Sequence, residues 1–261
     1  MNKLLFFGTC AGTEPIDGMN HASFAIETEK EIIWFDAGEG CSRTAHLMGV
    51  DLLKVRKIFI SHTHMDHIGG LGNLLWNIRK LNQVKDGKRK ESVDVFIPNM
   101  FCWKSIYNML LCTEGNFRTD YAVNGLPIKD GVIYETDECK VIARHNNHLG
   151  GCDENGNWLS YSFKIMLPNT TIVYSGDVEG TDDIDDLVDT GCEYLLMETG
   201  HHKIEEVCDF ASRKKVKNLL FFHNGREIIN DRQKVENYLD AFYDGKYRIC
   251  RDKDVLVMEE I

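Results

Sequence analysis

Four residues able to bind a metal stand within six positions in the run His62-Thr63-His64-Met65-Asp66-His67. The run follows an apolar segment, Val55–Ile60, closed by Ser61, and Ile68-Gly69-Gly70 leads from it into a helical pattern. A loop at a strand end presents several side chains at one point while a rigid element fixes its base. Imidazole nitrogens and a carboxylate oxygen suit zinc, iron or manganese. So dense a set of donors is enough to supply parts of two neighbouring sites, and the remaining ligands must come from far along the chain.

Three further donors occupy the same kind of position. His148 follows the expected strand Cys139–Ala143, Asp177 lies in Ser175-Gly176-Asp177 after Thr171–Ser175, and His223 directly follows Asn218–Phe222. Each alone reads as a structural or turn residue; together they share a placement at strand exits that could converge on one sheet edge. Period-two and apolar patterning predicts further strands at Leu4–Gly8, His21–Glu27, Glu31–Asp36, Val93–Ile97, Leu159–Leu167, Glu193–Met197 and Asp254–Met258. Helical spacing predicts Gly40–Gly49, Gly69–Leu81, Phe101–Leu111, Asp182–Asp189, Ile204–Lys214 and Asp231–Tyr243. Strand-rich stretches open each half and helices intervene in both, which suits two sheets packed face to face with helices outside. No Pro- or Ser-rich linker interrupts the 261 residues, so residues 1–261 are expected to form a single domain.

Composition narrows the partners. Hydrophobic residues make up 43% and charged residues 27%, which permits a full core. The formal net charge of −11 repels polyanions on average, whereas nucleic-acid binders show a basic face. The longest basic stretch, Lys85 to Lys90, is interrupted by Asp86 and reads as a solvated loop. Nine cysteines, an odd number without CxxC spacing, fit reduced thiols in a cytoplasm better than a disulfide framework. The apolar stretch before Cys10 is too short for a signal-peptide core and reads as a first strand. No run reaches the roughly 20 apolar residues of a membrane span.

The run from His62 to His67 resembles the HxHxDH signature of the metallo-β-lactamase superfamily. Phe35-Asp36-Ala37-Gly38-Glu39-Gly40 resembles the DxGEG segment of its ribonuclease Z-like branch, and Gly8-Thr9-Cys10-Ala11-Gly12, Ser175-Gly176-Asp177 and Phe221-Phe222-His223 fall in that family's order. The resemblance implies an α/β fold, the four-layer αββα sandwich of two mixed β-sheets with helices on the outer faces. It also implies two divalent metal ions, zinc by default, with manganese or iron served by the same donors. His62, His64 and His148 would hold one ion, and Asp66, His67 and His223 the other, with Asp177 bridging them. His145 rivals His148, which stands at the more usual family distance, five residues past Ala143. Asp36 would orient the ligand loop.

Such a pair would carry a metal-bound hydroxide at neutral pH, and Asp66 could take the nucleophile's proton. Glu198-Thr199-Gly200-His201-His202-Lys203-Ile204-Glu205-Glu206-Val207 resembles a compressed form of the ribonuclease Z region that bears a catalytic histidine and its glutamate partner. Counting back from Glu205 selects His201 as general acid and Glu198 as its orienter, with His202 the competing choice. His21 and Arg226 are candidates either for substrate binding or for structure.

The resemblance implies phosphodiester hydrolysis, yet the substrate-facing residues depart from ribonuclease Z. Its early PxKxRN motif is matched here by Pro15-Ile16-Asp17-Gly18-Met19-Asn20, where Asp17 and Met19 replace two phosphate-pairing cations. No Gly/Pro-rich arm of the kind that grips tRNA is present. The expected substrate is therefore a small or nucleotide-like phosphodiester, with nucleic acid the less expected partner, no membrane association and a homodimer left open. An acyl-bond hydrolase, lactonase or thioesterase, on the same metals is the enzymatic alternative, because fold does not settle the bond attacked. A catalytically silent metal-binding relative is the third reading.

Overall fold

Phe6, Phe24, Phe35, Phe59 and Phe96 stand opposite one another on five successive strands, and this aromatic ladder sets the register of the first of two sheets. Neighbouring rings stack with centroids 6.3, 5.0, 5.2 and 4.7 Å apart. The structure is a computed structural model and describes residues 2–85, 87, 89 and 91–258. Its chain divides into two compact units, one of residues 2–128 with 251–258 and one of residues 129–250.

In the first unit the sheet runs from edge to edge through Val255–Val257 (β14), Lys3–Gly8 (β1), Ser23–Glu27 (β2), Ile32–Phe35 (β3), Val55–Phe59 (β4), Val93–Ile97 (β5) and Val123–Pro127 (β6). The pairings from β14 to β3 are antiparallel and those from β3 to β6 parallel. Side chains alternate across a strand. Leu5, Phe7, Ala25, Trp34, Ile58 and Val95 therefore face away from the ladder, into one core cluster with residues of Cys41–Leu47 (α1), Leu71–Val84 (α3) and Met100–Leu111 (α4). A one-turn helix, Met65–Ile68 (α2), lies between β4 and α3.

The ladder ends one or two residues before the functional loops: Asp36 follows Phe35 directly, and Ser61 is two residues past Phe59. All five phenylalanines are buried. Phe59→Ala is expected to cost about 3–5 kcal/mol, the usual penalty for emptying an aromatic core position. Urea denaturation checks this, and a loss under about 1 kcal/mol would show that the ladder contributes little.

The second unit repeats the scheme. Its sheet runs Lys246–Ile249 (β13), Asn218–Phe222 (β12), Tyr194–Glu198 (β11), Thr170–Tyr174 (β10), Tyr161–Leu167 (β9), Lys140–His145 (β8) and Gly131–Glu135 (β7). The strands β10 to β13 pair in parallel and β7 to β10 antiparallel. Its helices are Asp185–Val188 (α5), Ile204–Arg213 (α6), Arg226–Asn230 (α7) and Arg232–Phe242 (α8). In α6, Ile204, Val207, Cys208, Phe210 and Ala211 make one buried face at helical spacing, while Glu205 and Glu206 occupy the first turn, where the helix dipole favours negative charge. That face packs with Val173, Leu195, Met197, Leu219 and Phe221 of the sheet and Leu239 of α8.

Most elements lie where the sequence predicts them. The expected helix Asp182–Asp189 is instead a 3₁₀ turn, Thr181–Ile184, followed by the single turn α5. The segment from His21 enters its strand only at Ser23. Three strands, β6, β7 and β13, were not anticipated, and each is a sheet edge. The basic stretch Lys85–Lys90 lies partly outside the described residues, at Asp86, Lys88 and Lys90. Its Arg89 is not solvated: the buried guanidinium donates to the carbonyls of Leu53, Glu91 and Ser92. Among the described residues no two of the nine cysteines form a disulfide, and no helix is long and apolar enough to cross a membrane.

Candidate functional site

Parallel strands leave their C-terminal ends side by side, and in open α/β sheets ligands bind there. In the first unit β3 and β4 deliver Asp36 and the run from Ser61 to His67 to such an edge. Asp36 is fully buried in left-handed backbone, φ 50°, an unusual conformation for a non-glycine residue that its surroundings hold in place. Its carbonyl accepts from Ser23 Oγ and Trp34 Nε1. Its carboxylate accepts from the Ser61 amide, Ser61 Oγ and His67 Nδ1, each at 2.7 Å. The Ala37 amide donates to the His67 carbonyl and the Gly70 amide to the Ala37 carbonyl, which ties α2 to the end of β3.

This scaffold groups the first unit's donors. The His62 and His64 rings lie 4.6 Å apart and those of His62 and His67 4.1 Å apart. His67 Nε2 is 3.3 Å from Asp66 Oδ2. His62 and His67 are fully buried, whereas His64 is exposed. A Cβ on Gly12 would lie 3.0 Å from the Asp66 carboxylate, so glycine at position 12 leaves room for a tight approach of the loop after β1.

Asp252, which no sequence motif singles out, and Asn20, which ends the stretch from Pro15, fix that loop. Asp252 accepts from the Thr9 amide and hydroxyl and from the Asn20 amide, clamping both ends of the segment. Burial raises its carboxyl above the ordinary range even against these donors. Asn20 donates to the Phe7 carbonyl and Thr44 Oγ1. His21, a candidate for substrate binding, is engaged at Nε2 with the Thr13 carbonyl, a structural contact. Asp17 is exposed, and Arg226 is exposed at the start of α7.

In the second unit β10, β11 and β12 deliver Asp177, Glu198 and His223 at adjacent parallel strand ends. Gly176, at φ 59°, turns the chain between β10 and Asp177, and His223 itself takes φ 50°. Asp177, 2% exposed, gathers histidines: His148 Nε2 lies 3.7 Å from Oδ2, His201 Nδ1 3.8 Å from Oδ2, and His223 Nδ1 3.5 Å from Oδ1. His148 is thus the histidine beside Asp177. Its rival His145 donates from Nδ1 to Asp130 Oδ2, 2.6 Å away, and stacks on Trp158 with centroids 3.8 Å apart.

Glu198 is wholly buried and receives His201 twice, at the ring Nδ1 (3.0 Å) and at the amide (2.9 Å). Burial alone would raise the Glu198 carboxyl, but hydrogen bonds from His201 and His223 outweigh it and hold the group at about 2. Reciprocally, the Glu198 hydrogen bond lifts His201 above the ordinary histidine range. The two adjacent histidines have different surroundings: the His201 side chain is 47% exposed, while that of His202, at 7%, bonds the Val178 carbonyl and lies 3.4 Å from Glu198. The sequence offered His202 only as an alternative to His201; burial separates them.

The donors fit divalent zinc, manganese or iron. Imidazole and carboxylate are the ligands those ions take, and a histidine that donates Nδ1 to a carboxylate, as His67 does to Asp36, keeps Nε2 for ligation.

Two mixed sheets flanked by helices, with an HxHxDH loop at the end of a parallel strand, define a metal-dependent hydrolase of the metallo-β-lactamase superfamily, ribonuclease Z-like in sequence. More narrowly, the chain belongs to the family described as Anti-Pycsar protein Apyc1, whose pattern matches residues 2–238. It is similar to ribonuclease Z of Thermococcus gammatolerans, at 28% identity over 297 residues covering 98% of this chain and 91% of that protein. Human tRNase Z, short form, superposes with a TM-score of 0.74 at 20% identity, covering 98% and 99% of the two chains. The metallo-β-lactamase fold protein YhfI from Bacillus subtilis gives a TM-score of 0.74 at 16% identity, covering 97% and 98%.

Proposed function

We propose that the chain is a dinuclear phosphodiesterase acting on a small or nucleotide-like phosphodiester, cyclic ones included. His62, His64 and His148 would hold one divalent ion, Asp66, His67 and His223 the other, and Asp177 both. Bound there, the ions would supply Lewis acidity at the phosphoryl group and an activated water. Asp66 takes the proton that the attacking water loses. His201 protonates the leaving oxygen from Nε2, because Nδ1 is committed to Glu198. Glu198 keeps that imidazole charged and aimed.

The observation that carries the reading is the pair formed by half-exposed His201 and buried Glu198 beside Asp177, a proton donor set at the same strand ends as Asp177 and His223. Ribonuclease Z relatives support phosphodiester chemistry. The acidic chain, and Asp17 and Met19 where ribonuclease Z has cations, support a small-molecule substrate.

A panel assay tests this. Zinc- or manganese-loaded protein is expected to cleave bis(p-nitrophenyl) phosphate and at least one cyclic or linear dinucleotide or mononucleotide diester, and to leave precursor tRNA intact. Efficient tRNA cleavage would overturn the substrate size. Rapid lactone or thioester hydrolysis with no diester turnover would overturn the bond.

A further inference from the structure

Ser61 stands between the ligand histidines and the carboxylate that orients them. It is fully buried. Its Oγ lies 2.7 Å from Asp36 Oδ2, 3.1 Å from His62 Nδ1 and 3.4 Å from His67 Nδ1, and its amide donates to Asp36 Oδ1. A hydroxyl has one proton to give and two lone pairs to receive with. A carboxylate with three donors aimed at it acts as acceptor, so the Ser61 proton goes to Asp36 Oδ2. The lone pairs of Oγ are then left facing the imidazoles, and His62 Nδ1, the nearer, donates to them. His67 Nδ1 gives its own proton to Asp36 Oδ2 at 2.7 Å.

We propose that Ser61 is a positioning residue that carries the effect of Asp36 to His62, so that one buried carboxylate sets the tautomer of two ligands. His67 is fixed directly and His62 through the Ser61 hydroxyl. Both rings carry their proton on Nδ1 and turn the Nε2 lone pair outward, the form a metal ligand needs. The role in ligation rests on the dinuclear reading above; the tautomers themselves do not.

Two measurements separate these. In the metal-free full-length protein, imidazole nitrogen chemical shifts are expected to show His62 and His67 protonated on Nδ1. In Ser61→Ala, His62 should lose that fixed tautomer while His67, still bonded to Asp36, keeps it. In competition with a chromophoric chelator, Ser61→Ala and Ser61→Cys, whose thiol is a weak hydrogen-bonding group, should bind zinc about 10–100-fold more weakly than wild type. Ser61→Thr retains the hydroxyl and should recover most of the affinity. A His62 signal unchanged in Ser61→Ala, or equal zinc affinity in wild type, Ser61→Ala and Ser61→Cys, would overturn the role of Ser61. A wild-type chain that binds no zinc while Ser61→Ala still shifts the His62 signal would instead overturn the metal reading and leave the tautomer relay standing.

Discussion

Replacing His64 by alanine is expected to leave the fold intact and to reduce phosphodiester turnover by about a thousandfold or more. The reason lies in how differently the three loop histidines are held. His62 and His67 are fully buried and knitted to Ser61 and Asp36, so removing either disturbs packing and hydrogen bonds together with any ligation. His64 is exposed, at the N-terminal boundary of α2, and substitutions at exposed positions usually shift stability by no more than about 0.5 kcal/mol. A metal ion stabilises the developing charge in a displacement by several kcal/mol, and each 1.36 kcal/mol is a factor of ten. Loss of one ligand that weakens an ion's hold therefore reads out in rate and metal content while the melting temperature stays close to wild type. The checks are kcat/KM on bis(p-nitrophenyl) phosphate, metal per chain, and thermal melting. Turnover within tenfold of wild type would remove His64 from the ligand set.

How far the sequence reaches follows the physics of each element. Strands interior to a sheet are buried and carry continuous apolar runs, which is why Val93–Ile97 and Asn218–Phe222 were bounded to the residue. The edge strands β6, β7 and β13 face fewer neighbours, and their sequences Val123-Asn124-Gly125-Leu126-Pro127, Gly131-Val132-Ile133-Tyr134-Glu135 and Lys246-Tyr247-Arg248-Ile249 lack a buried run of that kind. Gly125 and Pro127 speak against a strand on sequence alone, and both are tolerated at an edge. The same logic governs the site. The placement of Asp36, Asp177 and His223 at strand exits was legible because each follows an apolar run by no more than three residues. The grip on the loop from Thr9 to Asn20 was not, since Asp252 lies 243 residues from Thr9 and no local pattern links them. Ser61 read as a strand terminus because a hydroxyl's proton count matters only once its three neighbours are in place.

The choice between His201 and His202 was open in the sequence and has a measurable consequence. His201→Ala is expected to lower kcat by about 10²–10⁴-fold, the range of a lost general acid, and to do so most for substrates with poor leaving groups. A good leaving group such as p-nitrophenolate needs little protonation, so bis(p-nitrophenyl) phosphate should be spared relative to an alkyl diester. Glu198→Gln tests the cause rather than the group. The Glu198 carboxylate raises His201, so the acid form persists further up the pH scale in wild type than an ordinary histidine would allow. An acid must be protonated to act, hence the rate falls as pH climbs through the His201 value. Removing the carboxylate lowers that value, and the alkaline limb of kcat should move toward lower pH while the enzyme retains activity on the acid side. His202→Gln supplies the contrast. Buried against the Val178 carbonyl, it should change stability without displacing the limb. An alkaline limb that stays in place in Glu198→Gln and moves in His202→Gln would exchange the roles of the two histidines.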